Sequence, residues 1–195
     1  MYDEVKEDDE IASGEYGIVY KIRRNDEKVF AMKKFKIPKG DKAKLYIEKA
    51  KKEVDLMSKI DHPFLVKAED YMIKENIIKI IMEYFPKSSL WNYLEENNHV
   101  SQEFIKRIFL CCVDGLYYLK KEHGMNHRDI KPQNILLTEE FVPKLSDFCS
   151  IKSDLSQQAY PGLSGTIGMD LQGTITFLAP EVIVSYDEYK DKGSA

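Results

Sequence analysis

The run His127-Arg128-Asp129-Ile130-Lys131-Pro132-Gln133-Asn134, followed by Ser146-Asp147-Phe148, constrains this chain more than any other part of it. Asp129 offers a carboxylate to take a proton from a hydroxyl, and Lys131 an ammonium to neutralise an anion beside it. Asn134 and Asp147 offer two hard oxygen ligands of the kind magnesium takes. Five residues carry Asp129 to Asn134 and eighteen carry it to Asp147, enough for two short strands joined by a turn. Base, cation and paired metal ligands at this spacing are the inventory of phosphoryl transfer.

The residues upstream read as β-rich and turn-punctuated from Glu10 to Ile37, with Ile18-Val19-Tyr20 and Val29-Phe30-Ala31-Met32 as antiparallel strands across Asn25-Asp26-Glu27. In Ile11-Ala12-Ser13-Gly14-Glu15-Tyr16-Gly17-Ile18-Val19, Gly14 and Gly17 sit where backbone amides can approach phosphate, or where an ordinary β-turn needs them. A strand follows Gly17, which argues against the Rossmann and Walker loops, since each runs from glycine into a helix. Lys33 ends the next strand, either as an exposed terminus or as a cation aimed inward. Between Asp41 and Ile60 the residues Ile47, Ala50, Val54, Met57 and Ile60 recur at three or four, predicting a helix that stops before His62-Pro63. Glu53 shares the apolar face of that helix, where a carboxylate needs a partner, and Lys33 is the natural one. The remaining lysines from Lys34 to Lys52 read as a solvated face.

Leu65-Val66 and Ile77 to Met82 are expected to be further strands. After Tyr84-Phe85-Pro86 the pattern turns helical: Ser88 or Ser89 can cap a helix through Leu90, Trp91 and Leu94, and a longer helix begins near Ser101. Its apolar stripe runs through Phe104 or Ile105, Ile108, Cys112, Gly115 or Leu116, and Leu119, with Gly124 just beyond. His123 and His127 lack the glutamate of a zincin helix and read as a loop and a core histidine. Gly162-Leu163-Ser164-Gly165 places its second glycine one position too early for a nucleophile elbow.

Taken together, these motifs resemble the eukaryotic protein kinase family from Ile11 to Glu181. Lys131 and Thr174 match its serine/threonine branch. The resemblance implies an α+β, bilobal protein-kinase-like fold: an antiparallel sheet with one αC-type helix, then an incomplete, mainly helical second lobe. Its domain would occupy 1–195, with 10–85 as first lobe, a hinge at 83–86, and 87–195 as a partial second lobe. It implies ATP and Mg2+ as ligands and a protein hydroxyl as acceptor. Asp129 would be the base and Lys131 its cationic neighbour. Lys33 would hold the α- and β-phosphates, oriented by Glu53, with Asn134 and Asp147 on the metal. Ile11, Gly14, Gly17 and Val19 would cover the nucleotide, Ala31 and Leu136 would sandwich adenine, and the main chain of Glu83 and Phe85 would read its edge. Met82 matches the gatekeeper.

Departures from the family pattern carry their own expectations. Ala12 replaces the first loop glycine, with little expected effect, and Asn126 stands at a usually apolar position, with a local hydrogen bond expected of it. Cys149 replaces the glycine after Asp147-Phe148, where a Cβ restricts the backbone. Arg128 beside Asp129 implies control by activation-loop phosphorylation, with Asp170 partly substituting for the phosphate and Ser164 or Thr166 as alternative phosphosites. The chain ends soon after Ala179-Pro180-Glu181 and Val182-Ile183-Val184, so an apolar surface on the second lobe is expected to be open, implying poor solubility, a protein partner covering it, or a fragmentary gene product.

A net charge of −4 singles out neither nucleic acid nor an anionic membrane as partner, and no apolar run suits a signal or a span. Three cysteines form neither a disulfide framework nor a zinc pattern, which fits a cytoplasmic or nuclear setting. The sequence therefore supports an active serine/threonine kinase domain or, alternatively, a pseudokinase or fragment that binds nucleotide or protein.

Overall fold

The computed structural model describes residues 10–14, 16–74, 77–148, 152–153 and 177. Its first lobe is an antiparallel sheet of five strands: β1 (Glu10–Ser13), β2 (Gly17–Arg23), β3 (Val29–Phe35), β4 (Ala68–Lys74) and β5 (Ile77–Glu83), ordered β1-β2-β3-β5-β4. Helix α1 (Ala43–Lys59) crosses from β3 to β4. Strand β3 explains the layering, because its side chains alternate between the two faces of the sheet. Ala31, Lys33 and Phe35 share one face, on which Ala31 and Phe35 join the main core with Ala50, Val54 and Met57 of α1. Phe30 and Met32 share the other, where they cluster with Ile22 and Ile81. Lys33 is therefore aimed between sheet and helix and is not an exposed strand end.

Helix α1 starts at Ala43, two residues later than the sequence suggests, and ends at Lys59, with Ile60 as an extended cap before His62-Pro63. One expected strand is wrong. Leu65 and Val66 lie outside the sheet and are buried at 1% exposure each; Leu65 makes a single parallel bridge to Leu145. The sheet's fourth strand is β4, whose Glu69-Asp70-Tyr71-Met72-Ile73-Lys74 is exposed throughout. As an edge strand with neither face well covered it has no alternating pattern to betray it.

In the second lobe Ser89, rather than Ser88, caps α2 (Leu90–Glu96) by accepting the Asn92 N–H at 3.3 Å. Ser101 caps α3 (Gln102–His123), and Gly124 closes it in the left-handed region at φ 60. The open choices along α3 resolve by packing. Phe104 stacks on Tyr93 at 5.0 Å while Ile105 is 54% exposed. Gly115 lies at the seam, where an added Cβ would meet Leu65 Cδ2 at 2.9 Å, and Leu116 packs partly buried against the core beside it. His123 is the last residue of the helix rather than part of a loop. Ile105, Phe109, Val113 and Tyr117 form an outward apolar face, with Phe109 66% and Tyr117 62% exposed. Among the described residues no helix is long and apolar enough to cross a membrane.

Short strands follow: β6 (Met125–Asn126), β7 (Ile135–Leu137), β8 (Pro143–Leu145) and β9 (Lys152–Ser153), paired as β6 with β9 and β7 with β8. The β7–β8 ribbon is the pair of strands expected between Asn134 and Asp147, in the register Ile135↔Leu145, Leu136↔Lys144, Leu137↔Pro143. Lys120 Nζ donates to Asn126 Oδ1 at 3.5 Å, the local bond expected of that residue. The architecture is α+β and bilobal. Cys149, Ser164, Thr166, Asp170, Thr174 and the Ala179-Pro180-Glu181-Val182-Ile183-Val184 segment lie outside the described residues.

Candidate active site

A cleft of about 770 Å³ separates the two lobes, within the usual range of small-ligand sites. Every site residue named from the sequence lines it. From the first lobe come Ile11, Gly14, Gly17 and Val19 of the β1–β2 hairpin, Ala31 and Lys33 of β3, and Glu53 of α1. Met82, Glu83 and Phe85 line its back edge, and Asp129, Lys131, Asn134, Leu136 and Asp147 its floor. The hairpin needs glycine at position 17, since a Cβ there would come within 2.9 Å of Lys34 O and 3.3 Å of Lys33 Cγ. Register does the rest of the positioning: Lys33 stands opposite Val19 on one side and Ile80 on the other, and Ala31 opposite Met82.

Lys33 Nζ donates to Glu53 at 2.8 Å (Oε1) and 3.1 Å (Oε2), and to Asp147 Oδ1 at 3.1 Å. Glu53 is 1% exposed, so this pairing is what makes a carboxylate tolerable in the core beside Ala50 and Met57. One ammonium thus binds the helix, the strand and the floor of the cleft together. Asp147 reaches that position through a left-handed backbone at φ 63, and Arg128, just before Asp129, adopts φ 69. A non-glycine residue held in that region costs about 1 kcal/mol or more, and such conformations gather at functional sites.

On the floor, Asn134 Nδ2 donates to Asp129 O at 2.8 Å and to Asp129 Oδ2 at 2.9 Å, and Lys131 Nζ lies 2.9 Å from the same carboxylate oxygen. These bonds hold the Asp129 carboxylate in one orientation. Ser146 closes the other side: its N–H and hydroxyl both donate to Asn134 O, at 2.9 and 3.1 Å, which fastens the β7–β8 ribbon back onto the loop.

His127 braces the same structure from beneath. It is 1% exposed, and its ring meets Phe148 edge-on at 5.4 Å. Nε2 lies 3.0 Å from Ser146 O and so carries the proton, leaving Nδ1 to accept the Asp129 N–H at 3.4 Å. Burial pushes this imidazole below its ordinary 6.5, against the opposing pull of the Ser146 carbonyl. The unfolded chain therefore takes up a proton at higher pH than the folded one. Stability from the neutral ring is complete above about pH 6.5 and declines as pH falls toward the lower folded value. Lowering pH from about 7.5 to about 5.5 should reduce the denaturant midpoint of the wild type more than that of His127→Phe. Equal losses in the two proteins would contradict the linkage.

The donor set suits a hard cation. Lys33 and Lys131 face three carboxylates, Glu53, Asp129 and Asp147, leaving an excess of negative charge beside Asp147, whose side chain is 38% exposed to the cleft. With the Asn134 amide nitrogen engaged, its oxygen is the remaining ligand atom. Among the described residues no group of three or more His, Cys, Asp or Glu forms a protein cage. Two oxygen ligands without a cage fit magnesium, which keeps waters and substrate oxygens in its shell.

Further residues line the cleft that sequence reasoning did not assign to it: Tyr16, Met57, Val66, Tyr84, Ser88, Gln133 and Ser146. Met57 could have been found, since it lies one turn beyond Glu53 on the same helix face. Val66 could not, since its apolar neighbourhood reads as a strand and nothing local points it at the cleft. Glu83 also makes an ion pair with Lys144 of β8 at 2.7 Å, tying the end of β5 to the ribbon below.

A family model described as protein kinase domain matches residues 5–194. The serine/threonine-protein kinase cds1 of Schizosaccharomyces pombe is 31% identical over 94% of this chain and 39% of its own length. Protein kinase 3 of Dictyostelium discoideum is 33% identical over 87% of this chain and 19% of its own length. The serine/threonine-protein kinase fused of Drosophila melanogaster is 29% identical over 94% of this chain and 22% of its own length. The chain spans less than half the length of each of these relatives.

Proposed function

Because the chain belongs to the protein kinase family, we propose that it is an ATP- and magnesium-dependent serine/threonine kinase domain, transferring the γ-phosphate of ATP to a protein hydroxyl. The observation that carries this reading is the Lys33 ammonium held at 2.8 Å by Glu53 and 3.1 Å by Asp147, in the same cleft as Asp129, Lys131 and Asn134. In this reading residues 10–85 form the nucleotide lobe, 83–86 the hinge and 87–195 the acceptor lobe.

Adenine lies between Ala31 and Leu136 with its edge on the main chain of Glu83 and Phe85, and Met82 closes the space behind it. Ile11 and Val19 cover the ring, while Gly14 and Gly17 let the hairpin backbone approach the phosphates. Lys33 binds the α- and β-phosphate oxygens, its ammonium oriented by Glu53 at 2.8 Å. When bound, magnesium supplies positive charge to the phosphate oxygens, through Asn134 and Asp147. Asp129 accepts the acceptor hydroxyl's proton, its carboxylate aimed by Asn134, and Lys131 steadies charge on the transferring group. The outward face of α3, from Ile105 to Tyr117, is where a protein partner would sit.

The relatives' names support serine/threonine acceptors, as do Lys131 and Thr174. Two measurements test the proposal on this chain. ATP with magnesium should raise the melting temperature, with a stabilisation of about 2.7 kcal/mol when ligand exceeds Kd a hundredfold. Radiolabelled γ-phosphate should then pass to serine or threonine of an acceptor protein. Nucleotide binding without transfer would make the chain a binding module instead, and absence of binding would end the kinase reading and leave only a protein-interaction module.

A further inference from the structure

We infer that Tyr16, at the tip of the β1–β2 hairpin, is a positioning residue that fastens the hairpin to α1 through Tyr46 and Lys49. Hairpin closure and the seating of Glu53 on Lys33 then become one coupled movement. This rests on the nucleotide reading of the cleft given above.

The hairpin backbone presents Tyr16 firmly. Gly14 N–H donates to Gly17 O at 2.9 Å across the turn, and Lys36 N–H donates to Tyr16 O at 2.9 Å. Lys36 Nζ adds bonds to Ser13 Oγ at 2.9 Å and Gly14 O at 3.1 Å. Those ties hold the hairpin to its own sheet; the Tyr16 side chain carries it across to the helix. Its ring centroid lies 5.5 Å from that of Tyr46, tilted by 47°. Lys49 Nζ stands 4.9 Å from the Tyr16 ring centroid and donates to its hydroxyl at 3.3 Å. Aromatic, cation–π and hydrogen-bond contacts thus converge on one side chain.

The coupling follows from helical geometry. Tyr46, Lys49 and Glu53 are spaced by three and four residues, so they occupy one stripe of α1. All three lie within one helix of 17 residues whose backbone bonds link them rigidly, so a rotation that withdrew Glu53 from Lys33 would also withdraw Tyr46 and Lys49 from Tyr16. Tyr16 itself lines the cleft, whereas neither Tyr46 nor Lys49 does. A disturbance made from the helix side therefore separates the clamp from direct contact with nucleotide.

The test substitutes Tyr46→Ala, Lys49→Ala and Tyr16→Ala, with Tyr16→Phe as the conservative variant. Each alanine variant should raise KM for ATP about three- to tenfold, with a smaller change in kcat. Tyr16→Ala combined with Tyr46→Ala should be no worse than the poorer single variant, and Tyr16→Phe should recover most of the loss. Amide hydrogen exchange in the nucleotide-free protein should quicken together in residues 12–17 and around Glu53 in both helix variants. Unchanged exchange and KM in Tyr46→Ala and Lys49→Ala, or effects that merely add, would overturn the clamp. Lys49→Ala truncates a partly buried side chain outside the core and keeps the test available if Tyr46→Ala folds poorly. A protein that fails to bind ATP would refute the nucleotide reading, while exchange would still decide whether hairpin and helix move together.

Discussion

Asp129→Asn is expected to remove phosphate transfer while leaving nucleotide binding near the wild-type level. A positioned general base contributes about 10²–10⁴-fold to rate, and asparagine keeps the shape while losing the ability to accept the proton. The surroundings make the substitution clean. Asn134 Nδ2 at 2.9 Å and Lys131 Nζ at 2.9 Å both meet the Asp129 carboxylate oxygen, and an asparagine side-chain oxygen can keep accepting from them. Melting temperature with ATP and magnesium should therefore rise as in the wild type, while radiolabel transfer drops by about two orders of magnitude or more. A variant that transfers phosphate at the wild-type rate would remove Asp129 from the role of base.

The second large effect is on folding. Lys33→Met should destabilise the protein by about 3–5 kcal/mol, because it leaves a buried carboxylate without its cation. Glu53 is 1% exposed and has Ala50, Val54 and Met57 as its buried neighbours along α1, so water cannot replace the ammonium at 2.8 Å. The loss should be repaired in part by Lys33→Met combined with Glu53→Gln, which removes the stranded charge. Denaturant unfolding of the wild type, both single variants and the pair forms a complete cycle. If Lys33→Met alone matched the wild type within about 0.5 kcal/mol, the pair would not be structural. Nucleotide affinity should fall in every variant lacking Lys33, repaired or not, which separates the folding role from the binding role.

The parts of this protein legible from its sequence are those governed by local rules. The helical stripe of α3 through Ile108, Cys112 and Leu119 and the caps at Ser101 and Gly124 could be named because the period of a helix and the chemistry of its ends are local. The ribbon between Asn134 and Asp147 followed from chain length. Strand β4 was missed for the opposite reason: an exposed edge strand has no buried face to impose alternation. Leu65 and Val66 read as a strand because they are apolar, but Leu65 is buried against α3, where Gly115 makes room for it, and Val66 faces the cleft. The choice between Phe104 and Ile105, and the close approach of Gly115 to Leu65, depend on neighbours that the helix pattern cannot show.

The candidate site divides along the same line. The identities of its chemical groups, and the expectation that Glu53 must find a cation, follow from the sequence alone, because a carboxylate on an apolar helix face carries its own requirement. What only the tertiary structure decided is how those groups meet. Lys33 lies between Glu53 and Asp147, residues 20 and 114 positions away along the chain. His127 ties Ser146 to Asp129, and Tyr16 reaches across to Tyr46 and Lys49. Each of these joins separate elements whose relative placement comes from burying the Ala31, Phe35, Val54 and Phe148 core, and burial is a property of the whole chain rather than of any stretch of it.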